Sequence, residues 1–216
     1  IDTEKAQLSL SFGENVLADT QAYELHITQE CDLKGLPDQV KEMAAETAKS
    51  KDKEGWVFTL DYPSYIPLMT YAENRTLRQE MSTAFGGGGF QDNEQNNTAI
   101  ILRLIELRKQ RAELLGYESH AAFVLEERMA TSEGNVKSFL EDLYKKAYPA
   151  AQNEWEEMEK FAAESMGLPS LEKWDTAYVS EKLKQAQLDL DEQKLKPYFP
   201  LENVKAGVFD IAERLY

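Results

Sequence analysis

Apolar side chains recur three and four residues apart along most of this chain, and that spacing argues for helices almost throughout. The clearest run follows Thr98. Ile101, Leu104 and Ile105 begin it, Leu114 and Leu115 close it, and Gly116 stands where a helix C-terminus favours glycine. Only two stretches alternate as a strand does. Trp56-Val-Phe-Thr-Leu60 is β-branched and aromatic, bounded by Gly55 and by Asp61-Tyr-Pro63, and Tyr23 to Ile27 is a weaker candidate. The expectation is a mainly α, multi-helix unit with at most one or two short strands.

The remaining helices are placed by their start and stop signals. Glu4 to about Leu17 forms the first, and Pro37 opens a short one reaching about Ser50. Ser64 is read as the N-cap of a helix to Phe85, with Pro67 tolerated in its first turn. Ser119 caps the next, to about Met129. Thr131 or Ser132 starts a long helix in which Pro149 predicts a kink or a break, the pattern resuming through Trp155, Met158, Phe161 and Ala162. Asp175 is read as the cap of a helix to about Gln187, and the last helix begins near Leu201. No internal repeat and no Pro/Gly/Ser linker divides residues 1–216, so a single unit is expected.

The charge balance excludes some partners. The 216 residues carry 39 acidic against 24 basic side chains, a net charge of -15, which speaks against nucleic acid and against an anionic membrane surface. No apolar run is long enough to span a bilayer, and no signal peptide is visible. Cys31 is the single cysteine, so no disulfide frames the fold. Low cysteine use points to the cytoplasm, with the periplasm left open.

A search for chemistry returns little. The run Phe85-Gly-Gly-Gly-Gly-Phe90 lacks the Lys-Ser/Thr of a phosphate loop, and Gln91 stands where a dinucleotide fingerprint needs glycine. It is read as a mobile connection between helices, one that could also border a substrate groove. The two histidines, His26 and His120, have no partner one helical turn away, and Cys31 five residues from His26 does not make a metal site. Glu126-Glu127 and Glu156-Glu157 point in different directions on their helices and read as solvated faces. Trp155, Met158 and Phe161, like Ile101, Leu104 and Ile105, read as core. Catalytic residues: none; metal ligands: none; residues that bind a substrate cannot be named from the sequence.

The motifs carry more than the chemistry does. Leu188-Asp-Leu-Asp-Glu-Gln-Lys-Leu-Lys-Pro-Tyr-Phe-Pro-Leu-Glu-Asn-Val204, followed by Gly207-Val-Phe209 and Ala212-Glu-Arg-Leu-Tyr216, closely resembles the thimet oligopeptidase family of zinc metallopeptidases, in particular its bacterial peptidyl-dipeptidase and oligopeptidase A branch. Ser11-Phe-Gly-Glu-Asn-Val-Leu17, Leu60-Asp-Tyr-Pro-Ser-Tyr65, Tyr71-Ala-Glu-Asn-Arg75, Arg111-Ala-Glu-Leu-Leu-Gly-Tyr117 and Arg128-Met-Ala130 agree in the same order. The resemblance implies a two-lobed helical fold with a deep channel, and a zinc ion that activates water beside the glutamate of an H-E-x-x-H helix. Neither that motif nor a third ligand has a counterpart here, so none is carried over.

These readings lead us to expect a non-catalytic portion of a larger peptidase acting on short peptides. Zn2+ is expected in the parent protein, and none is expected to be bound by this portion. The chain starts Ile1-Asp-Thr without methionine, and its last helical pattern (Val204, Val208, Ile211, Ala212, Leu215) has no capping residue. A piece without its remaining catalytic part should expose apolar surface and form a non-native dimer through it. The competing readings are a self-contained acidic helical interaction module and an inactive relative that has lost its zinc site.

Overall fold

A computed structural model describes residues 1–189 and 195–216. The fold is mainly α. In chain order the elements are α1 (Asp2–Ala22), β1 (Leu25–Ile27), α2 (Asp38–Ser50), β2 (Trp56–Phe58), α3 (Tyr62–Tyr71), α4 (Arg75–Gly86), α5 (Thr98–Leu114), α6 (His120–Leu125), α7 (Glu133–Met166), α8 (Thr176–Leu188) and α9 (Leu201–Leu215). Short 3-10 turns occupy Glu30–Leu33 and Lys196–Tyr198. The two strands pair antiparallel with Leu25 opposite Phe58, His26 opposite Val57 and Ile27 opposite Trp56.

The main core forms on this ribbon. Leu25, Ile27 and Phe58 meet Val40 and Ala44 of α2, Leu68 and Met69 of α3, and Met81 of α4. A smaller cluster joins Ala162 of α7 to Tyr178 and Val179 of α8, with Met158 and Phe161 packed against it. Elsewhere α1 lies against α5, and α3 against α8. Local signals close several helices as their sequences dictate. At the end of α5, Gly116 adopts φ +82°, its N–H donates to the Glu113 carbonyl at 3.1 Å, and Tyr117 N–H reaches the Ala112 carbonyl at 2.9 Å.

Four expectations need correction. The helix expected from Ser64 to Phe85 is two helices. α3 begins at Tyr62, leaving Pro67 inside it, while the Ser64 hydroxyl accepts the Thr59 N–H at 3.0 Å. The chain breaks after Tyr71 because Asn74 caps α4, accepting the Thr76 and Leu77 N–H groups at 3.0 and 3.4 Å. Pro149 does not break α7, whose 34 residues run uninterrupted. Lys145 and Pro149 are exposed there, so water can take the carbonyl that the proline cannot bond. Asp175 precedes α8 but makes no side-chain cap bond. Finally, Ile105 is 57% exposed and Trp155 39%, so neither is core. Leu104 and Leu107 carry the buried face of α5.

Asp175 serves instead as the anion of a buried ion network. It is fully buried, as is Arg78, whose Nη2 donates to Asp175 Oδ1 at 2.8 Å while Nη1 donates to the Ala72 carbonyl at 2.7 Å. Arg75 grips the other oxygen at 2.6 Å, and the Arg78 guanidinium lies 4.2 Å from the centre of the Tyr178 ring. Burial alone would raise the Asp175 pKa, but the bonds from Arg75 and Arg78 outweigh it and hold the carboxyl below its ordinary value. The network joins the α3–α4 break to the start of α8.

Candidate functional site

The four-glycine run is pinned rather than loose. Gly89, at φ +75°, donates its N–H to Asp19 Oδ2 at 2.7 Å and accepts from Asn97 N–H at 2.7 Å. A side chain there would drive a Cβ to 2.6 Å from Asn97 Nδ2. Asn97 is itself buried, bonded to the Phe12 carbonyl at 3.2 Å and to Asn15 at 2.9 Å. The loop is thus stitched to α1, and beside it opens a cleft of about 520 Å³ lined by Asp19, Tyr23, Leu60, Glu80, Thr83 and Gln91, among others. Tyr23 donates to Glu80 at 3.4 Å, and burial, helped by the Glu80 charge, pushes its phenol up to about 12. The cleft therefore holds carboxylates and a phenol that stays neutral. It offers hydrogen bonds and negative charge.

A second feature is larger. On α9, Leu201, Val204, Val208, Ile211 and Leu215 fall at alternating three- and four-residue steps and form one stripe, widened by Phe209. None is buried, and Phe209 is 72% exposed. The corner before it presents Tyr198 and Phe199 to solvent too. The first half of α7 repeats the pattern with exposed Phe139, Leu140, Leu143, Tyr144 and Tyr148, the last two rings stacked at 4.8 Å. Residues 190–194 of the Leu188–Val204 motif lie outside the described residues.

The residues weighed for metal chemistry stay apart. His26 sits on β1 and its Nε2 donates to the Glu54 carbonyl at 2.6 Å. Cys31 is exposed on a 3-10 turn, and His120 opens α6. Among the described residues no group of three or more His, Cys, Asp or Glu is placed to hold a metal ion. As placed among the described residues, these donors do not form the kind of zinc site that the family resemblance implies. Glu126, Glu127, Glu156 and Glu157 are exposed, but only the second pair lies on a helix, since α6 ends at Leu125. Sequence reasoning missed the cleft residues Asp19, Tyr23 and Glu80, which no motif connects and only the fold assembles.

Comparison with known proteins agrees with the motifs. The model of peptidase family M3 matches residues 68–216. Oligopeptidase A of Salmonella typhimurium is 36% identical over 220 residues, spanning 100% of this chain and 32% of that protein. The organellar oligopeptidase A of Arabidopsis thaliana is 37% identical over 228 residues, again across the whole chain and 28% of its own length. Dipeptidyl carboxypeptidase of Escherichia coli is 31% identical over 219 residues, with 32% of that protein covered. The chain spans about a third of the length of the curated relatives it matches. A family match over residues 68–216, together with the ordered motifs upstream of it, places this chain in peptidase family M3.

Proposed function

We propose that this chain is a non-catalytic part of a zinc-dependent peptidase that hydrolyses short peptides, and that alone it is inactive. In the whole protein it forms wall around the substrate channel, admitting short peptides and excluding folded proteins. Zinc and the general base belong to sequence beyond these residues. The carrying observation is the bare apolar face of α9, a pattern that the first half of α7 repeats. Monomeric proteins rarely leave large contiguous apolar patches wet. The wide stripe of α9, with Phe209 flanking the three-four positions, has the form of a helix that faces a core. The remaining two thirds of a relative-sized polypeptide is the natural occupant.

The purified chain, supplied with zinc, should leave an internally quenched peptide uncut. Hydrolysis that survives repurification and stops on chelation would overturn the inactivity. One further reading follows from the charge of -15 and the same bare face: an acidic helical module that binds a separate partner. It expects that partner to be captured at low salt and released as salt rises. A cytoplasmic location belongs to the proposal as well, and cell fractionation tests it.

A further inference from the structure

Where α1 meets α5, a second cleft of about 350 Å³ is lined by Ser9, Phe12, Ile101, Leu104, Ile105 and Arg108. Its floor is apolar and Arg108 is its one charged lining residue. The neighbouring cations on α5 are neutralised: Arg103 by Glu4 and Glu106, Lys109 by Glu113, Arg111 by Asp2. Arg108 has no ion-pair or hydrogen-bond partner among the described residues. On the facing helix Lys5 must share the Asp2 carboxylate with Arg111, at 3.2 and 3.0 Å. This corner therefore holds excess positive charge in a chain whose total is -15. The same cations bear on His120: burial first, then Arg108, Lys5 and Arg111, hold its pKa below the ordinary value.

We propose that this cleft docks the C-terminal end of a peptide whose last residue is apolar, with its side chain against Phe12, Ile101, Leu104 and Ile105 and its carboxylate on the Arg108 guanidinium. The choice of a peptide over other carboxylates rests on the peptide-handling reading above. The planar fork of an arginine suits a carboxylate, which it can hold through two hydrogen bonds. The volume lies at the lower end of ligand pockets, roughly 300–1,000 Å³, and suits a terminal dipeptide better than a longer segment.

The test titrates the isotopically labelled chain with N-acetyl-leucyl-leucine and with its C-terminal amide at low salt, following backbone signals by NMR. The free acid should shift the signals of Phe12, Ile105 and Arg108 and bind roughly tenfold more tightly than the amide. Arg108→Gln should lower acid binding to the level of the amide, while Arg108→Lys keeps part of the preference. Because Arg108 is exposed, both variants should retain the wild-type circular dichroism spectrum. Equal binding of acid and amide would overturn the proposal, as would an unchanged preference in Arg108→Gln or tighter binding of decanoate than of the peptide. Binding to this chain is read without any hydrolysis, so failure here and failure of the peptidase reading are separate results.

Discussion

The ribbon-centred body and two bare helical stretches, α9 and the first half of α7, use the same apolar residue types to opposite ends. In the body, Phe58, Leu68 and Met81 are removed from water on every side. In the bare helices, Phe139, Leu143, Val208 and Phe209 are each more than half exposed, although the spacing along each helix is just as regular. Helical periodicity therefore says that a face is built to be covered. It does not say what covers it, and only the body carries its own cover.

Substitutions should separate the two regions sharply. The largest effect is expected from Asp175→Asn, which leaves Arg78 buried without its anion and should cost about 3–5 kcal/mol in urea unfolding. The same carboxylate sets an acid limit. Its folded pKa is depressed, so its contribution is complete above the ordinary carboxylate range and is lost as pH falls through the lowered folded value. Asp175→Asn should flatten that part of the pH–stability curve, and an unchanged curve would remove Asp175 from the account.

Leu68→Ala, at a fully buried site in the body, should cost about 2–5 kcal/mol. Asn74→Ala removes the cap of α4 and its 2.9 Å bond to Asp32, for a loss of about 1 kcal/mol in the same assay. The smallest change in stability, within about 0.5 kcal/mol, is expected for Phe209→Ser in α9. That substitution should nonetheless weaken concentration-dependent dimerisation in sedimentation and lower the binding of a hydrophobic dye. A strictly monomeric wild-type chain, or a Phe209→Ser variant as unstable as Leu68→Ala, would erase the distinction between the body and the bare helices.

What the sequence made legible was local. Gly116 ends α5 because its positive φ and two backbone bonds depend only on nearby residues. The Trp56–Phe58 strand was legible for the same reason. Asp175 was misread as a helix cap because its partner Arg78 lies 97 positions away, and no spacing rule reaches that far. Ser64 looked like a cap and instead holds the Thr59 N–H, while the real break waits for Asn74. Ile105 and Leu107 both fit helical spacing, and only the packing of the helices around α5 decides that Leu107 is buried and Ile105 is not. The motifs announced the family and the glycine run hinted at a groove, yet the lining of both clefts was invisible, since residues such as Asp19 and Glu80, or Phe12 and Arg108, share a cleft only once the helices have packed.

The Arg78–Asp175 bond also fixes an order of events at the ribosome. Translation proceeds at about 5–20 residues per second, so the 97 positions between the two take on the order of 5–20 s to emerge. Through that interval the ribbon, α2, α3 and α4 are already available to collapse, but the guanidinium at their edge has only backbone carbonyls for company. The nascent body must keep that edge hydrated until α8 arrives. A ribosome stalled before Asp175 should thus display an assembled but open intermediate, a natural target for a chaperone.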